Sequence, residues 1–146
     1  MGVFMVTVGQ LLDSKGHELY SIAPEESVLR AMEIMATREV GALLVMDRGE
    51  MVGVISERDY ARKVILMNRS SRDTPVRDIM NSPVVSVGME DTIHRCMEVM
   101  TDKRIRHLPV VKGGKVLGVL SIGDLVKAML QEQSEQIQQL QRYIAG

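Results

Sequence analysis

The chain has little with which to cross-link itself, grip nucleic acid or span a membrane. One cysteine, Cys96, stands among 146 residues, so an intrachain disulfide is excluded and the usage fits a reducing compartment. Lysine plus arginine number 18 and aspartate plus glutamate 19, giving a net charge of -1 and a pI near 6.3. No run of five like charges occurs, so bulk charge gives no support to nucleic-acid or membrane-surface binding. The opening MGVFMVTVGQLL lacks a basic segment followed by a long apolar core and a small-residue cleavage site. It reads as neither a signal peptide nor a membrane span, and the expectation is a soluble, cytoplasmic protein. Tryptophan is absent and the aromatics are Phe4, Tyr20, Tyr60 and Tyr143, against 12 methionines. With 45% apolar residues, that predicts a pliable aliphatic core in one domain or two small ones.

Catalytic signatures are missing as well. There is no Walker A loop, no G-x-G-x-x-G and no HExxH. His94 and Cys96 lie two apart on a predicted helix and point to different faces, a poor metal pair. Cys96 falls on the core-facing side, where an inert thiol is expected, and His17 falls in a loop exposed to solvent. No catalytic constellation and no metal site are predicted.

What is present is a duplication. Shifting the chain by 65 residues aligns Leu19–Lys63 with Val84–Ala128 without a gap, and 13 of 45 pairs are identical, among them Met35/Met100, Gly53/Gly118, Ser56/Ser121 and Asp59/Asp124. Ahead of the aligned block, VGQLL (Val8–Leu12) resembles VRDIM (Val76–Met80). Two copies do not make a solenoid. They predict two similar units packed about a pseudo-two-fold axis.

Each copy reads β-α-β-β-α. A short apolar stretch, Leu19–Ile22 or Val84–Val87, reads as a strand. Ser27 or Thr92 then caps a helix whose apolar positions, Val28, Ala31, Met32 and Met35 or Ile93, Cys96, Met97 and Met100, follow helical spacing. Two β-branched runs flank a glycine-bearing turn, DRGE or KGG, the signature of a hairpin. A second helix follows Ser-x-x-Asp. The repeats are placed at residues 7–67 and 76–130, joined through the polar stretch Asn68–Pro75, with a helical tail at 131–146.

Ser-x-x-Asp reads two ways. It is a capping box, with Ser56 or Ser121 on the helix end and Asp59 or Asp124 in the first turn. It is also suited to a ligand, because a helix start offers N–H groups and a hydroxyl to phosphate while a carboxylate accepts from a ribose diol. Gly53 and Gly118 mark close approach of another segment to a strand.

GALLVMDRGEMVGVISERD (Gly41–Asp59), RHLPVVKGGKVLGVLSIGD (Arg106–Asp124) and the lead-in DIMNSPVVSV (Asp78–Val87) resemble the CBS-domain family, named after cystathionine β-synthase, over nearly the whole chain. The resemblance implies an α/β (α+β) fold in which two repeats form one module, here a stand-alone pair, with adenine nucleotides in clefts between the repeats. It further implies that Asp59 and Asp124 hold ribose, with Ser56 and Ser121 near phosphate. Arg106 and His107 are thereby assigned to the phosphate end of the Asp59 site, where Arg58 also sits; arginine's planar fork suits phosphate. Gly41 and Ala42, at the matching positions, bring no charge to the Asp124 site, so the first site is expected to be the better phosphate binder. Tyr20 and Val40 are the analogous adenine walls of the first site, and Val85 and Ile105 those of the second. AMP, ADP, ATP, NAD and S-adenosylmethionine all share these contacts. No catalytic cofactor is implied.

In the tail, Leu130, Ile137 and Ile144 recur at seven with Leu140 between, while Gln133 breaks the stripe. That side packs either on its own module or on a second chain, and a homodimer is expected. The functional expectation is a regulatory module sensing adenosine-containing nucleotides. The alternatives are a ligand-independent interaction module acting on an unidentified partner enzyme, and a nucleotide hydrolase.

Overall fold

The computed structural model describes residues 6–145; the reading of the opening segment therefore lies partly outside the described residues. In chain order the elements are α1 (Val8–Lys15), β1 (Ser21–Ile22), α2 (Val28–Arg38), β2 (Ala42–Asp47), β3 (Glu50–Ser56), α3 (Glu57–Tyr60), a π-helical turn (Ala61–Ile65), a 3-10 turn (Val76–Asp78), α4 (Ile93–Lys103), β4 (His107–Lys112), β5 (Lys115–Ser121) and α5 (Ile122–Ala145). The architecture is mixed α/β, as the duplication predicts.

The two copies repeat one local chemistry. The Ser27 and Thr92 hydroxyl oxygens accept the N–H of Arg30 and Arg95 and so cap α2 and α4, each cap contributing about 1 kcal/mol. Val28, Ala31 and Met35 on α2 and Ile93, Cys96 and Met100 on α4 are buried, the core face that helical spacing predicts. Glu39 and Arg104, both at φ 56°, end the helices in left-handed conformation. The hairpin turns have positive φ at both central residues, Arg48 with Gly49 and Gly113 with Gly114, the geometry of a type I′ turn. Even the strand irregularity is duplicated, between Val45 and Met46 and between Val110 and Val111.

The chain divides into two compact units whose cut is not that of the sequence repeat. One is Leu19–Val85; the other runs from the first described residue to Glu18 and resumes at Ser86. The first holds the sheet β1-β2-β3, with β1 parallel and β3 antiparallel to β2. The second holds the β4-β5 hairpin. Each unit thus takes the lead-in segment of the other repeat: α1 packs with the second copy and Val76–Val85 with the first.

The two strand glycines explain the likeness of VGQLL to VRDIM. A Cβ on Gly53 would lie 2.5 Å from the Met80 sulfur, and one on Gly118 would lie 2.7 Å from Leu12 Cδ2. Leu12 and Met80 hold the same place in their motifs, and each seals a strand where only glycine fits. Leu12 is fully buried, a burial that contributes about 2 kcal/mol.

One predicted strand is not formed. Val84–Val87 is reduced to an isolated parallel bridge between Val87 and Val110. In the first copy the Leu44 N–H donates to the Tyr20 carbonyl at 3.0 Å. Sixty-five residues on, the residue matching Leu44 is Pro109, which has no N–H to donate to Val85. The second helices also differ. α3 is four residues long and passes into the π-helical turn, whereas α5 runs for 24 residues. Among the described residues no helix is long and apolar enough to cross a membrane.

Candidate functional site

Both Ser-x-x-Asp segments lie where a strand turns into a helix, and both are capping boxes in fact. In the first, the Ser56 N–H donates to Asp59 Oδ2 at 2.9 Å and the Asp59 N–H returns a bond to Ser56 Oγ at 3.2 Å. In the second, the Ser121 N–H donates to Asp124 Oδ2 at 2.8 Å and the Asp124 N–H to Ser121 Oγ at 3.1 Å. The capping reading accounts for the serines. It does not account for what else the carboxylates hold.

Asp59 is closed in. It is 7% exposed. Its Oδ2 also accepts the Ser56 hydroxyl at 2.9 Å and the Asn81 amide at 2.9 Å; its Oδ1 receives that amide at 3.1 Å and lies 3.4 Å from Lys63 Nζ. Lys63 in turn donates to the Asn81 side chain and to the Ile79 carbonyl. Asn81 is brought there by its own backbone, which forms a two-way bridge to Val54 on the edge of β3, at 2.9 and 3.2 Å.

Asp124 is held differently. Its side chain keeps 24% of its surface exposed, and Lys15 Nζ, at the end of α1, sits 2.5 Å from Oδ2. The same ammonium donates to the Val119 carbonyl. His17 is in a loop and exposed, as the sequence suggests, and its Nδ1 also lies 2.9 Å from the Leu117 carbonyl of β5. Val119 matches Val54 in the duplication. The edge that a backbone bridge covers in the first copy is thus met in the second by two side chains, Lys15 at the end of α1 and His17 just beyond it. Burial works to raise the Asp124 carboxyl, but the hydrogen bond and charge of Lys15, with the Ser121 N–H, outweigh it and hold the group below the usual carboxylate range.

The remaining predicted site residues are spread over both units. Tyr20 is half-buried beside the first core with the Arg38 guanidinium 5.3 Å over its ring, a cation–π contact. It lines a groove of about 300 Å³ with Arg30, Ile34 and Arg38. Val40 packs against the same core and lines a second depression, with Met32, Gly41 and Glu57. Arg58 is half-buried in the first turn of α3. Arg106 is exposed, its carbonyl accepting the Ile122 N–H at 2.9 Å; His107 is half-buried and opens β4 opposite Ser121. Both belong to the unit of Asp124. Ile105 is half-buried there too, whereas Val85 is the last residue of the Leu19–Val85 unit.

Sequence reasoning missed Lys15, Lys63 and Asn81. Lys63 was within reach, being four residues from Asp59 on a helical segment. Lys15 and Asn81 belong to lead-in segments, and nothing in their own sequence tells which repeat they pack on. Among the described residues no cluster of histidine, cysteine and acidic side chains could hold a metal. The buried Cys96 thiol, pushed up to about 11 by burial and by Asp91, is no nucleophile at neutral pH.

Known proteins share this organisation. The CBS domain profile matches residues 8–66 and 76–131. The mitochondrial CBS domain-containing protein CBSX3 of Arabidopsis thaliana is 39% identical over 99% of this chain and 75% of its own length. A Burkholderia ambifaria MC40-6 protein, provisionally named a signal-transduction protein with CBS domains, is 44% identical with a TM-score of 0.83, over 88% of this chain and 96% of that one. At 20% identity, a likeness of fold alone, the CBS domain pair of protein MJ0100 superposes with a TM-score of 0.77 over 88% of this chain and 98% of its own; it was solved with 5′-methylthioadenosine and S-adenosyl-L-methionine. With two matches that together span most of its length, the chain belongs to the CBS domain family and carries two such domains in tandem.

Proposed function

We propose that the protein is a regulatory module that binds adenosine-containing nucleotides and has no catalysis of its own. The observation that carries this reading is the pair of helix-start aspartates. Each is fixed by its capping box as an acceptor beside a helix start, the arrangement a ribose diol and a phosphate need. Support also comes from the family and from the adenosine ligands of the MJ0100 pair. Ser56, Arg58 and Asp59, with Arg106 and His107 at the phosphate end and Tyr20 and Val40 at the adenine, form the proposed first site. Ser121 and Asp124, with Val85 and Ile105, form the second. Binding biases the packing of the module, and a second copy of the chain or a regulated protein in the cytoplasm reads the change.

A thermal-shift series with AMP, ADP, ATP, NAD and S-adenosylmethionine tests this. A ligand at a hundred times its Kd stabilises by about 2.7 kcal/mol, a rise in Tm of roughly 5–10 °C for a chain of this size. No rise with any of the five would favour a ligand-independent interaction module. One observation favours that second reading: both Asp59 oxygens already have partners. Ribose would have to displace Asn81 or Lys63 there.

A further inference from the structure

The two aspartates differ in what remains open. Both oxygens of Asp59 are occupied from within its unit. At Asp124 the Ser121 N–H and the Lys15 ammonium both lie on Oδ2, and no described residue hydrogen-bonds or ion-pairs with Oδ1. The charge in the first cluster also differs in kind, since Asp59 shares Lys63 with the Asn81 side chain and the Ile79 carbonyl. Among the described residues Lys15 has only Asp124 and one β5 carbonyl as partners, and its side chain is 34% exposed. It is the cation that the sequence comparison of the two copies did not supply to the second site.

We propose that Lys15 sets the ligand preference of the Asp124 site, pairing with Asp124 when the site is empty and with the ligand's phosphate when it is full. The inference rests on the reading of Asp124 as a ribose residue and deepens it. A ribose diol donates to the carboxylate and competes with the ammonium for it. A neutral nucleoside that displaces Lys15 leaves the ammonium without its counter-ion, so part of its binding free energy is lost in breaking the pair. A phosphorylated nucleoside supplies a replacement anion, and the long flexible lysine stem lets the ammonium follow it. Breaking one charge-assisted contact is thereby offset by forming another. The site discriminates against neutral nucleosides through a residue 109 positions away in the chain. Lys15 is a specificity residue on this account, and its contact to the Val119 carbonyl is the purely structural role from which the test must separate it.

The experiment is calorimetric titration with AMP and with adenosine, in an Asp59→Asn background that weakens the first site. Lys15→Met should strengthen adenosine and weaken AMP, lowering the AMP-to-adenosine affinity ratio by about tenfold or more, the worth of a charge-assisted hydrogen bond. Lys15→Arg, which keeps the charge, should restore most of the ratio. Adding Asp124→Asn should weaken both ligands. If Lys15→Met lowers both affinities equally, or leaves both unchanged while Asp124→Asn still weakens AMP, Lys15 acts only on the strand edge and the inference fails alone. If Asp124→Asn changes neither ligand, the ribose assignment itself is wrong and the inference falls with it.

Discussion

At the scale of single residues, the serines do what any helix cap does, and the aspartates are set apart by their partners. Asp59 is buried under an amide and an ammonium, and Asp124 is half-open beside one lysine. The difference has a consequence for acid stability. Because the Asp124 carboxyl is held below its ordinary range, its stabilisation is present above the unfolded pKa, about 3.9 for aspartate, and is lost as pH falls through the folded value. Urea denaturation of wild type and Lys15→Met should therefore differ most at neutral pH, with the gap shrinking below about pH 4. Both partners keep solvent contact, so the pH-dependent part should stay within about 1 kcal/mol. A gap constant from pH 7 to pH 3 would mean that the lysine stabilises only through the Val119 carbonyl. The sequence made the aspartates conspicuous by repeating them. It could not mark Lys15 or Asn81, because the contact of Lys15 with Asp124 spans 109 positions and that of Asn81 with Asp59 spans 22.

At the scale of elements, helices and hairpins were legible because two independent copies carried the same caps, apolar spacing and turn glycines. The strand expected at Val84–Val87 failed on one atom, the amide hydrogen that Pro109 lacks. The end of the chain shows a second limit. α5 buries Leu125, Ala128 and Glu132, while Leu130, Ile137, Leu140 and Ile144 are all more than half exposed. Glu132 was not foreseen as a core residue; its carboxylate takes His94 Nε2 at 2.8 Å and the Val6 N–H at 3.3 Å. A helix with six glutamines between Gln131 and Gln141 has too little packing of its own to be held straight by propensity. The exposed stripe is proposed as a seam between two copies. Truncation after Gln133 keeps the Glu132 contacts and removes the stripe. Sedimentation should then show a weaker dimer, with nucleotide affinity nearly unchanged. An equally tight dimer after truncation would move the interface elsewhere.

At the scale of the whole molecule, the duplication predicted two similar units but not how the chain is divided between them. A lead-in of one repeat packs into the unit of the other, α1 with the residues from Ser86 onward and Val76–Val85 with those from Leu19. The glycine contacts of Leu12 and Met80 record this exchange, and so do the aspartate contacts of Lys15 and Asn81. Each proposed ribose carboxylate is thus tied to a segment from outside its own sequence repeat. These carboxylates are proposed to hold a nucleotide. Calorimetric titration of AMP into wild type, Asp59→Asn, Asp124→Asn and the double variant, each shown to unfold cooperatively, tests that proposal most directly. A loss of about ten- to a hundredfold is expected at the altered site in each single variant, and a loss of that size at both sites in the double variant. A folded double variant that binds AMP as tightly as wild type would contradict it.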